Sequence, residues 1–254
     1  MGKSVTISVV VITYNEERNL GRCLESVKSF ADEIVVVDSF SSDKTQEIAE
    51  NYGARFIQNA FKGHIEQKNL AKEQASCDIV LSLDADEAVS PKMRAEIEKL
   101  KANWNADGYV FKRCTNFCGT WVRKGSWYPD KKLRLWAREK GQWTGINPHD
   151  KFEIPGGNIK EIDAEIEHYS YYTLAEYQAQ IVKFSTISAK AMLAKGKRSS
   201  LLNLIANPAW RFFKGFVLKG AFLLGKTGFI IEKGAAYETY LKYMKLKQLQ
   251  ASNN

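Results

Sequence analysis

In the first hundred residues, short apolar runs alternate with segments whose apolar side chains recur at helical spacing. The run Ile34–Val37 is continuously apolar, as expected of a strand that is covered on both faces. Segment 16–30 instead places apolar side chains three and four residues apart, which is the spacing of one helix face. Repeated strand–helix pairs of this kind predict the α/β class, with a parallel sheet between two layers of helices.

Polar clusters follow three of these predicted strands, at the point where each strand ends. They are Thr13–Glu16, Asp38–Asp43 and Asp84–Glu87. In open α/β sheets, ligands bind beyond the carboxyl ends of the strands. The three clusters therefore predict one binding site on one rim of the sheet.

The third cluster brings three carboxylates within four residues: Asp84, Asp86 and Glu87. Clustered carboxylates repel one another unless a cation lies among them. Mg²⁺ and Mn²⁺ prefer oxygen ligands and commonly bridge to the phosphates of a substrate. An acidic turn before a helix, with Glu87 favouring the helix dipole, is the structural alternative. The preceding strand–helix alternation favours a metal–diphosphate site.

The other two clusters admit a binding role and a structural role. Asp38, leaving a buried strand, can accept hydrogen bonds from a base or a ribose, or it can cap the turn. In the segment Thr13–Glu16, Thr13 or Asn15 can likewise serve as a helix cap. Position alone leaves both interpretations open.

Together, the three segments resemble glycosyltransferase family 2, which has the GT-A fold. The family pattern is roughly T-x-N-E, then D-D-G-S-x-D-x-T, then D-A-D-D or D-A-D-E. The chain reads Thr13–Glu16, Asp38–Thr45 and Asp84–Glu87 in the same order, and the match spans residues 5 to about 100. In one departure, Ser39 and Phe40 replace the usual Asp-Gly. The resemblance implies a Rossmann-like mixed sheet of the GT-A type, followed by a C-terminal helical extension.

More narrowly, the chain resembles bacterial lipopolysaccharide-core glycosyltransferases of this family. The segments Phe61–Asn69 and Tyr128–Leu135 are similar to their F-x-G-x-x-x-Q-x-N and Y-P-D-x-x-x-R-L motifs. Pro148–Asp150 is similar to a V-H-E-like motif, with Asp in place of Glu. This resemblance extends over most of the chain through shorter motifs.

The resemblance implies roles on the donor side of the site. Thr13, Glu16 and Asp38 would hold the nucleoside of a nucleotide-sugar donor. Lys68, on the helix after the third strand, would approach the donor. Asp84 would contact the ribose or a metal-bound water.

The same resemblance implies a metal and a base. Asp86 would ligate a divalent metal, Mg²⁺ or Mn²⁺, and His168 falls where GT-A folds often add a C-terminal histidine ligand. The alternative for His168 is a satisfied core or surface histidine. Asp150 would be the general base that deprotonates the acceptor hydroxyl, and its alternative is a carboxylate at a loop or helix start.

The middle of the chain, from Gly108 to about Glu153, is rich in aromatic and basic residues and predicts an antiparallel extension of the sheet. Four of its aromatic residues could stack on an acceptor sugar or form the core of that extension: Trp121, Trp127, Tyr128 and Trp143. Large aromatic side chains dominate core energetics, which favours core packing for at least half of them.

The C-terminal third is basic and is predicted to be helical from Thr173 onward. The whole chain has a net charge of +8, and segment 183–247 alone holds 13 basic and only 2 acidic residues. Apolar and aromatic residues interleaved with Lys and Arg are typical of helices in an anionic membrane interface. A helical hairpin packed on the catalytic domain is the alternative, and these helices could also mediate self-association.

Localisation and domain division follow from these features. The N-terminal segment has no signal-peptide pattern, and the longest uncharged stretch of the C-terminal third, Ser199–Trp210, has 12 residues, too few to span a bilayer. The sparse cysteines predict free thiols in a reducing cytosol. We expect a cytoplasmic protein, peripheral on the inner membrane face, with domains 1–172 (halves 1–101 and 102–172) and 173–254.

The function expected from the sequence is an inverting glycosyltransferase that moves a hexose, of glucose type, from a UDP-linked donor to a lipopolysaccharide-core or other glycan or lipid-linked acceptor. A sugar-phosphate nucleotidyltransferase is one alternative, but it usually carries a Gly-rich loop where this chain has Thr13–Glu16. A non-catalytic basic module that binds membranes is the other. No nucleic-acid partner is expected, because a module that binds nucleic acid through basic residues would not need three acidic strand ends on one rim.

Overall fold

The computed structural model describes residues 4–147 and 149–252. Within them, the chain forms two compact units. The first comprises the residues up to 113 together with 130–169, and the second comprises 114–129 and the residues from 170 onward. The domain boundary expected after residue 172 stays a prediction.

The first unit begins with the predicted alternation of strands and helices. Its parallel strands lie in the order Arg55–Gln58 (β3), Glu33–Asp38 (β2), Ile7–Thr13 (β1) and Ile79–Asp84 (β4). Ser90 caps the fourth helix by accepting a hydrogen bond from the Met93 amide at 3.2 Å, as its place before Pro91 predicts. The elements are β1 Ile7–Thr13, α1 Leu20–Val27, β2 Glu33–Asp38, α2 Thr45–Asn51, β3 Arg55–Gln58, α3 His64–Glu73, β4 Ile79–Asp84, β5 Glu87–Val89 and α4 Pro91–Ala102.

Antiparallel strands then extend the sheet, so the predicted extension is confirmed. The strand Asp130–Ala137 (β8) pairs antiparallel with β4. With Gly108–Phe117 as β6 and Ile159–Tyr171 as β11, the sheet order is β3-β2-β1-β4-β8-β6-β11-β5. β9 and β10 form a separate two-stranded sheet. The strands are β6 Gly108–Phe117, β7 Thr120–Val122, β8 Asp130–Ala137, β9 Gln142–Ile146, β10 His149–Glu153 and β11 Ile159–Tyr171.

Glu87 does not lie in the turn directly before a helix, which was the structural alternative for the acidic segment. Glu87–Val89 is the short strand β5, which pairs antiparallel with residues Ile166–His168 of β11. The local sequence gives no indication of this pairing, because the partner strand follows about eighty residues later. The helix begins only after Ser90.

Two hydrophobic clusters cover the two faces of the sheet in the first unit. Along β1, Val9 and Val11 belong to one cluster and Val10 to the other. This alternation inside a continuously apolar strand is the arrangement predicted for a sheet buried on both faces. Trp143 lies in the second cluster and packs edge-on against Trp136, so it is a core residue rather than an exposed sugar platform.

The second unit is mainly helical, as predicted for the C-terminal third. Capping boxes begin two of its helices, one at Thr173 with Glu176 and one at Ser200 with Asn203. No helix in the described part of the chain is both long enough and apolar enough to cross a bilayer. The elements are α5 Leu174–Ala194, α6 Leu201–Phe213, a π-helical turn Lys214–Leu218, a 3₁₀ turn Ala221–Leu224 and α7 Gly225–Ser252.

Gly228, in the first turn of α7, is predicted to be intolerant of a side chain. A Cβ at this position would lie 1.9 Å from the Ala221 carbonyl oxygen, a backbone atom that cannot rotate away. We expect Gly228→Ala to lower the free energy of unfolding by about 1–3 kcal/mol, measured by urea denaturation. The matched control is Gly21→Ala in α1, where the nearest atom is 3.8 Å from the added Cβ. Equal stability of the two variants would contradict the close contact at Gly228.

Candidate active site

The carboxyl ends of β1, β2 and β4 lie side by side in the first unit. Thr13 is in register with Asp38, and Ile12 is in register with Asp84. The three polar clusters therefore leave the same edge of the sheet, as the sequence predicts. Parallel pairing alone produces this convergence, because it places equivalent ends together.

Hydrogen bonds join the loop after β1 to the loop after β2. The Asn15 amide donates to Ser41 Oγ at 2.7 Å, and Asn15 Oδ1 accepts from the Ser42 amide at 2.9 Å. The Glu16 amide donates to Thr45 Oγ1 at 2.8 Å. The short polar side chains of both motifs thus satisfy backbone groups of the opposite loop and fix the shape of the rim.

Asp38 is fully buried and holds its own loop in place. Its carboxylate accepts a hydrogen bond from the Ser41 amide at 2.8 Å and another from the Ser41 hydroxyl. The next residue but one, Phe40, has a φ of 62°, a region that side chains other than glycine rarely adopt. This geometry explains why the family pattern has glycine there, and Phe40 costs roughly 1–3 kcal/mol of backbone strain.

Thr13 and Glu16 face the rim with groups that suit a ligand. Thr13 Oγ1 is buried and has no hydrogen-bond partner within residues 4–147 and 149–252. Burial raises the pKa of Glu16, a hydrogen bond from Asn19 lowers it in part, and nearby carboxylates, Asp86 first, raise it further. An unpaired buried hydroxyl needs a partner, which a bound ligand can supply.

Asp84 is neutralised by cations of the protein itself. Lys68 Nζ lies 3.1 Å from its Oδ1, and Arg134 Nη2 lies 2.9 Å from its Oδ2. Burial alone would raise the pKa of Asp84, but the charges of Lys68 and Arg134 hold it well below its ordinary value. The lowered pKa favours the ionised carboxylate of Asp84, which bridges two basic side chains.

Arg134 continues this network into the protein. Its Nη2 also lies 2.8 Å from Glu87 Oε1, and both side chains are almost completely buried. Arg113 approaches the same Glu87 oxygen at 3.2 Å and pairs with Asp130 at 2.8 Å. Burial alone would lower the pKa of Arg134, but Glu87 and Asp84 raise it. Glu87 is thus a partner of arginines and not a third ligand of a metal.

Lys68 joins Asp84 to Asp150. The Lys68 ammonium donates to Asp150 Oδ2 at 2.8 Å and lies 4.5 Å from the ring centre of Trp143. The sequence predicted separate roles for the three charged residues, and the structure places them in one chain of contacts. Within the predicted segment Pro148–Asp150, Pro148 lies outside the described residues.

Asp86 and His168 form a second pair beside this network. His168 Nε2 lies 3.2 Å from Asp86 Oδ2, because the pairing of β5 with β11 places His168 opposite Glu87. In the described part of the chain, no three His, Cys, Asp or Glu side chains are grouped so as to hold a metal alone. One carboxylate and one imidazole still fit Mg²⁺ or Mn²⁺, which in such sites take further oxygens from water and substrate phosphates.

Sequence reasoning did not assign roles to Arg134, Arg113 and Glu87 as a network. Arg134 lies in the segment Tyr128–Leu135 that carries the narrower resemblance, and this was the one indication of its importance. Nothing local marks Arg113, which is one of several basic residues in this part of the chain. Its partner Glu87 is defined only by the pairing of distant strands.

Comparison with known proteins agrees with this geometry. The family model "Glycosyl transferase family 2" matches residues 8–166. A Rickettsia bellii protein named as an uncharacterized glycosyltransferase is 31% identical over 98% of this chain and 88% of its own length. The lipopolysaccharide core biosynthesis glycosyltransferase LpsC of Rhizobium meliloti is 29% identical over 96% of this chain and 93% of its own.

A solved structure shares the fold. The mannosyltransferase PcManGT from Pyrobaculum calidifontis, in complex with GDP-Man and Mn²⁺, superposes with a TM-score of 0.56. It is 14% identical, and the match covers 98% of this chain and 87% of that one. With its strand ends, its family model and its relatives in agreement, the chain belongs to glycosyl transferase family 2 and is a glycosyltransferase with the GT-A fold.

Proposed function

We propose that the protein transfers a hexose from a UDP-linked donor, with inversion, to a lipopolysaccharide-core acceptor, using a divalent metal. The observation that carries this proposal is the Asp86–His168 pair, 3.2 Å apart beside the partly exposed carboxylate of Asp84 at the strand ends. The name of the Rhizobium relative supports the class of acceptor. The Pyrobaculum enzyme was solved in complex with GDP-Man and Mn²⁺, which supports a nucleotide-sugar donor and a divalent metal for this chain. Because that donor carries guanosine, the comparison does not support uridine as the nucleoside here.

The donor is assigned to the rim formed by β1, β2 and β4. The unpaired Thr13 hydroxyl and the Asp38 loop would bind the nucleoside, with Glu16 beside them. Lys68, which is 5% exposed, would face the donor with its positive charge while it remains paired with Asp84. Such a rim binds a nucleotide without large rearrangement, because its loops are already joined by hydrogen bonds.

Asp86 and His168 would hold the divalent metal, Mg²⁺ or Mn²⁺. A bound metal supplies Lewis-acid stabilisation of the charge that develops on the leaving diphosphate. His168 would bind through Nε2, the atom that faces Asp86. Asp84, already paired with two cations, would contact the ribose or a water of the metal rather than the metal itself.

Asp150 would act as the general base. It would accept the proton of the acceptor hydroxyl while that oxygen forms a bond to the anomeric carbon and the bond from this carbon to the diphosphate breaks. Lys68 positions the base, because its ammonium donates to Asp150 Oδ2 and leaves Oδ1 for the incoming proton. Attack from the face opposite the leaving group gives inversion.

The second unit offers a surface for the membrane that carries a lipid-linked acceptor. Large apolar side chains on α6 and the turns after it are exposed, among them Leu202 at 72%, Ile205 at 73% and Leu223 at 65%. Exposed lysines lie among them: Lys214, Lys219 and Lys226. Apolar side chains flanked by lysines match an anionic bilayer surface, where the chains enter the interface and the ammonium groups meet lipid phosphates. Self-association through these helices stays a prediction.

The metal–donor assignment predicts a conditional thermal shift. UDP should raise the Tm of the parent only in the presence of Mn²⁺ or Mg²⁺, because a ligand that binds the native state stabilises it. Asp86→Ala and His168→Ala should each abolish this shift. Asp163→Asn, which changes an exposed carboxylate on the same strand as His168, should retain it.

Either of two results would contradict this assignment. One is a UDP shift that is equally large without metal, or equally large in Asp86→Ala. The other is a Tm shift by GDP or CMP with none by UDP, which would show that the donor carries a nucleotide other than UDP.

The assignment of Asp150 as the general base predicts separate effects on turnover and on donor binding. Asp150→Asn should lower kcat by about 10²–10⁴, because the amide cannot accept the hydroxyl proton. The metal-dependent UDP shift should be unchanged, since the amide oxygen can still accept from Lys68. Glu153→Gln, in the same strand, is the matched control and should retain turnover with a UDP-hexose and a lipopolysaccharide-core acceptor. A decrease of kcat by less than about threefold in Asp150→Asn would exclude this residue as the base.

The membrane surface is tested by vesicle flotation. The parent should bind phosphatidylglycerol vesicles, less tightly at high salt, and not neutral phosphatidylcholine vesicles. The double variant Leu202→Glu with Ile205→Glu should bind the anionic vesicles at least about tenfold more weakly. Val182→Glu with Ile187→Glu, which changes two exposed side chains of α5 by the same charge, should bind like the parent. Equal loss in both double variants would contradict the assignment to α6.

A further inference from the structure

A cavity of about 320 Å³ lies within the second unit. Helices α5 and α7 each present one face to it, with positions spaced three, four and seven residues apart. On α5 these residues are Tyr177, Gln180, Ile181 and Phe184, and on α7 they are Ala235, Glu238, Thr239 and Lys242. The volume is at the lower end of the range for small-molecule sites, which suits one monosaccharide unit.

Aromatic rings form one wall of this cavity. Trp127 stacks on Tyr171, with ring centres 5.6 Å apart and an angle of 28° between the planes. Tyr177 meets both rings edge-on, at 5.6 Å from Trp127 and 5.2 Å from Tyr171. These mutual contacts hold the rings rigid, so the wall is preformed and can pack against the apolar face of a sugar ring.

Charged side chains line the rest of the cavity: Arg211, Glu238 and Lys242. In the part of the chain that the structure describes, none of the three forms an ion pair, although they share one small space. Burial raises the pKa of Glu238, and burial lowers the pKa of Lys242 in spite of the opposing charge of Glu238. The lining therefore carries two cations and one anion whose charges are incompletely compensated, which favours an anionic ligand.

We propose that this cavity is a saccharide subsite that binds a sugar unit bearing a phosphate or a carboxylate. Arg211 would take the anionic group through its planar fork of N–H donors, and Lys242 would add a second charge. Glu238 and Gln180 would bind ring hydroxyls, and Trp127 would cover the ring face. The inference rests on the proposed function in one respect, namely that such a unit belongs to the acceptor glycan.

The test measures binding of three probes to the full chain by NMR titration: glucose 6-phosphate, glucose and inorganic phosphate. Glucose 6-phosphate should bind saturably and at least about tenfold more tightly than either of the others. It is the one probe with both a sugar ring for the aromatic wall and a phosphate for the basic side chains. Arg211→Gln and Lys242→Gln should each weaken its binding by about tenfold. Lys183→Gln removes an equal charge from an exposed position of α5 without lining the cavity, and it should bind like the parent.

Two further measurements identify the source of the ligand and distinguish the subsite from the proposed transferase function. A deacylated, phosphorylated core oligosaccharide and the intact lipid-linked form in micelles are compared, and the tighter one identifies the source. Donor binding is read separately from the UDP shift with Mn²⁺, which Arg211→Gln should leave unchanged. Loss of the UDP shift in the parent would contradict the proposed function while leaving a saturable glucose 6-phosphate site intact.

The proposal of the subsite is overturned by any of three results. The parent binds none of the probes saturably, or inorganic phosphate binds as tightly as glucose 6-phosphate, or both pocket variants bind glucose 6-phosphate like Lys183→Gln. Trp127→Phe, with its Tm measured alongside, checks the aromatic wall in a variant that keeps a ring and therefore the packing. It should bind glucose 6-phosphate more weakly than the parent at a similar Tm, because the smaller phenyl ring covers less of the sugar face, and equal binding would contradict the role of Trp127.

Discussion

The candidate active site depends on one buried guanidinium. Arg134 Nη2 contacts Asp84 at 2.9 Å and Glu87 at 2.8 Å, and all but 2% of its side chain is hidden from water. A buried ion pair contributes little net stability, but removal of one partner leaves an uncompensated charge and costs about 3–5 kcal/mol. Arg134 is therefore the constraint that neutralises two acidic residues of one short segment, the fully buried Glu87 and the partly exposed Asp84.

This arrangement divides the acidic segment between two tasks. Asp84 and Glu87 point into a network of basic residues, whereas Asp86, between them, pairs with His168 on another strand. The two tasks do not compete, because the arginine holds its two carboxylates while the histidine meets the third. The network also reaches Asp150 through Lys68, which links the proposed base to the strand-end carboxylate of Asp84 by direct contacts.

The sequence predicted the strands and helices of residues 5–102 closely, because their apolar periodicity is strong and parallel pairing follows chain order. It also placed Thr13, Asp38 and Asp84 at one rim, and their registers agree. It did not indicate β5 or its pairing with β11, since both strands are defined by partners far away in the chain. Phe40 shows a further limit, because its positive φ follows from the loop and not from the residue type.

The sequence by itself determined the fold class, the family and the identity of the acidic strand ends, because local hydrophobic periodicity and short motifs encode these. Only the tertiary structure decided which carboxylates are neutralised by arginines and lysine, and which one meets a histidine. It also decided that aromatic and charged side chains of α5, α6 and α7 enclose one cavity. These outcomes depend on contacts between residues far apart in the chain, whose pairing is set by packing and by the cost of leaving a buried charge alone.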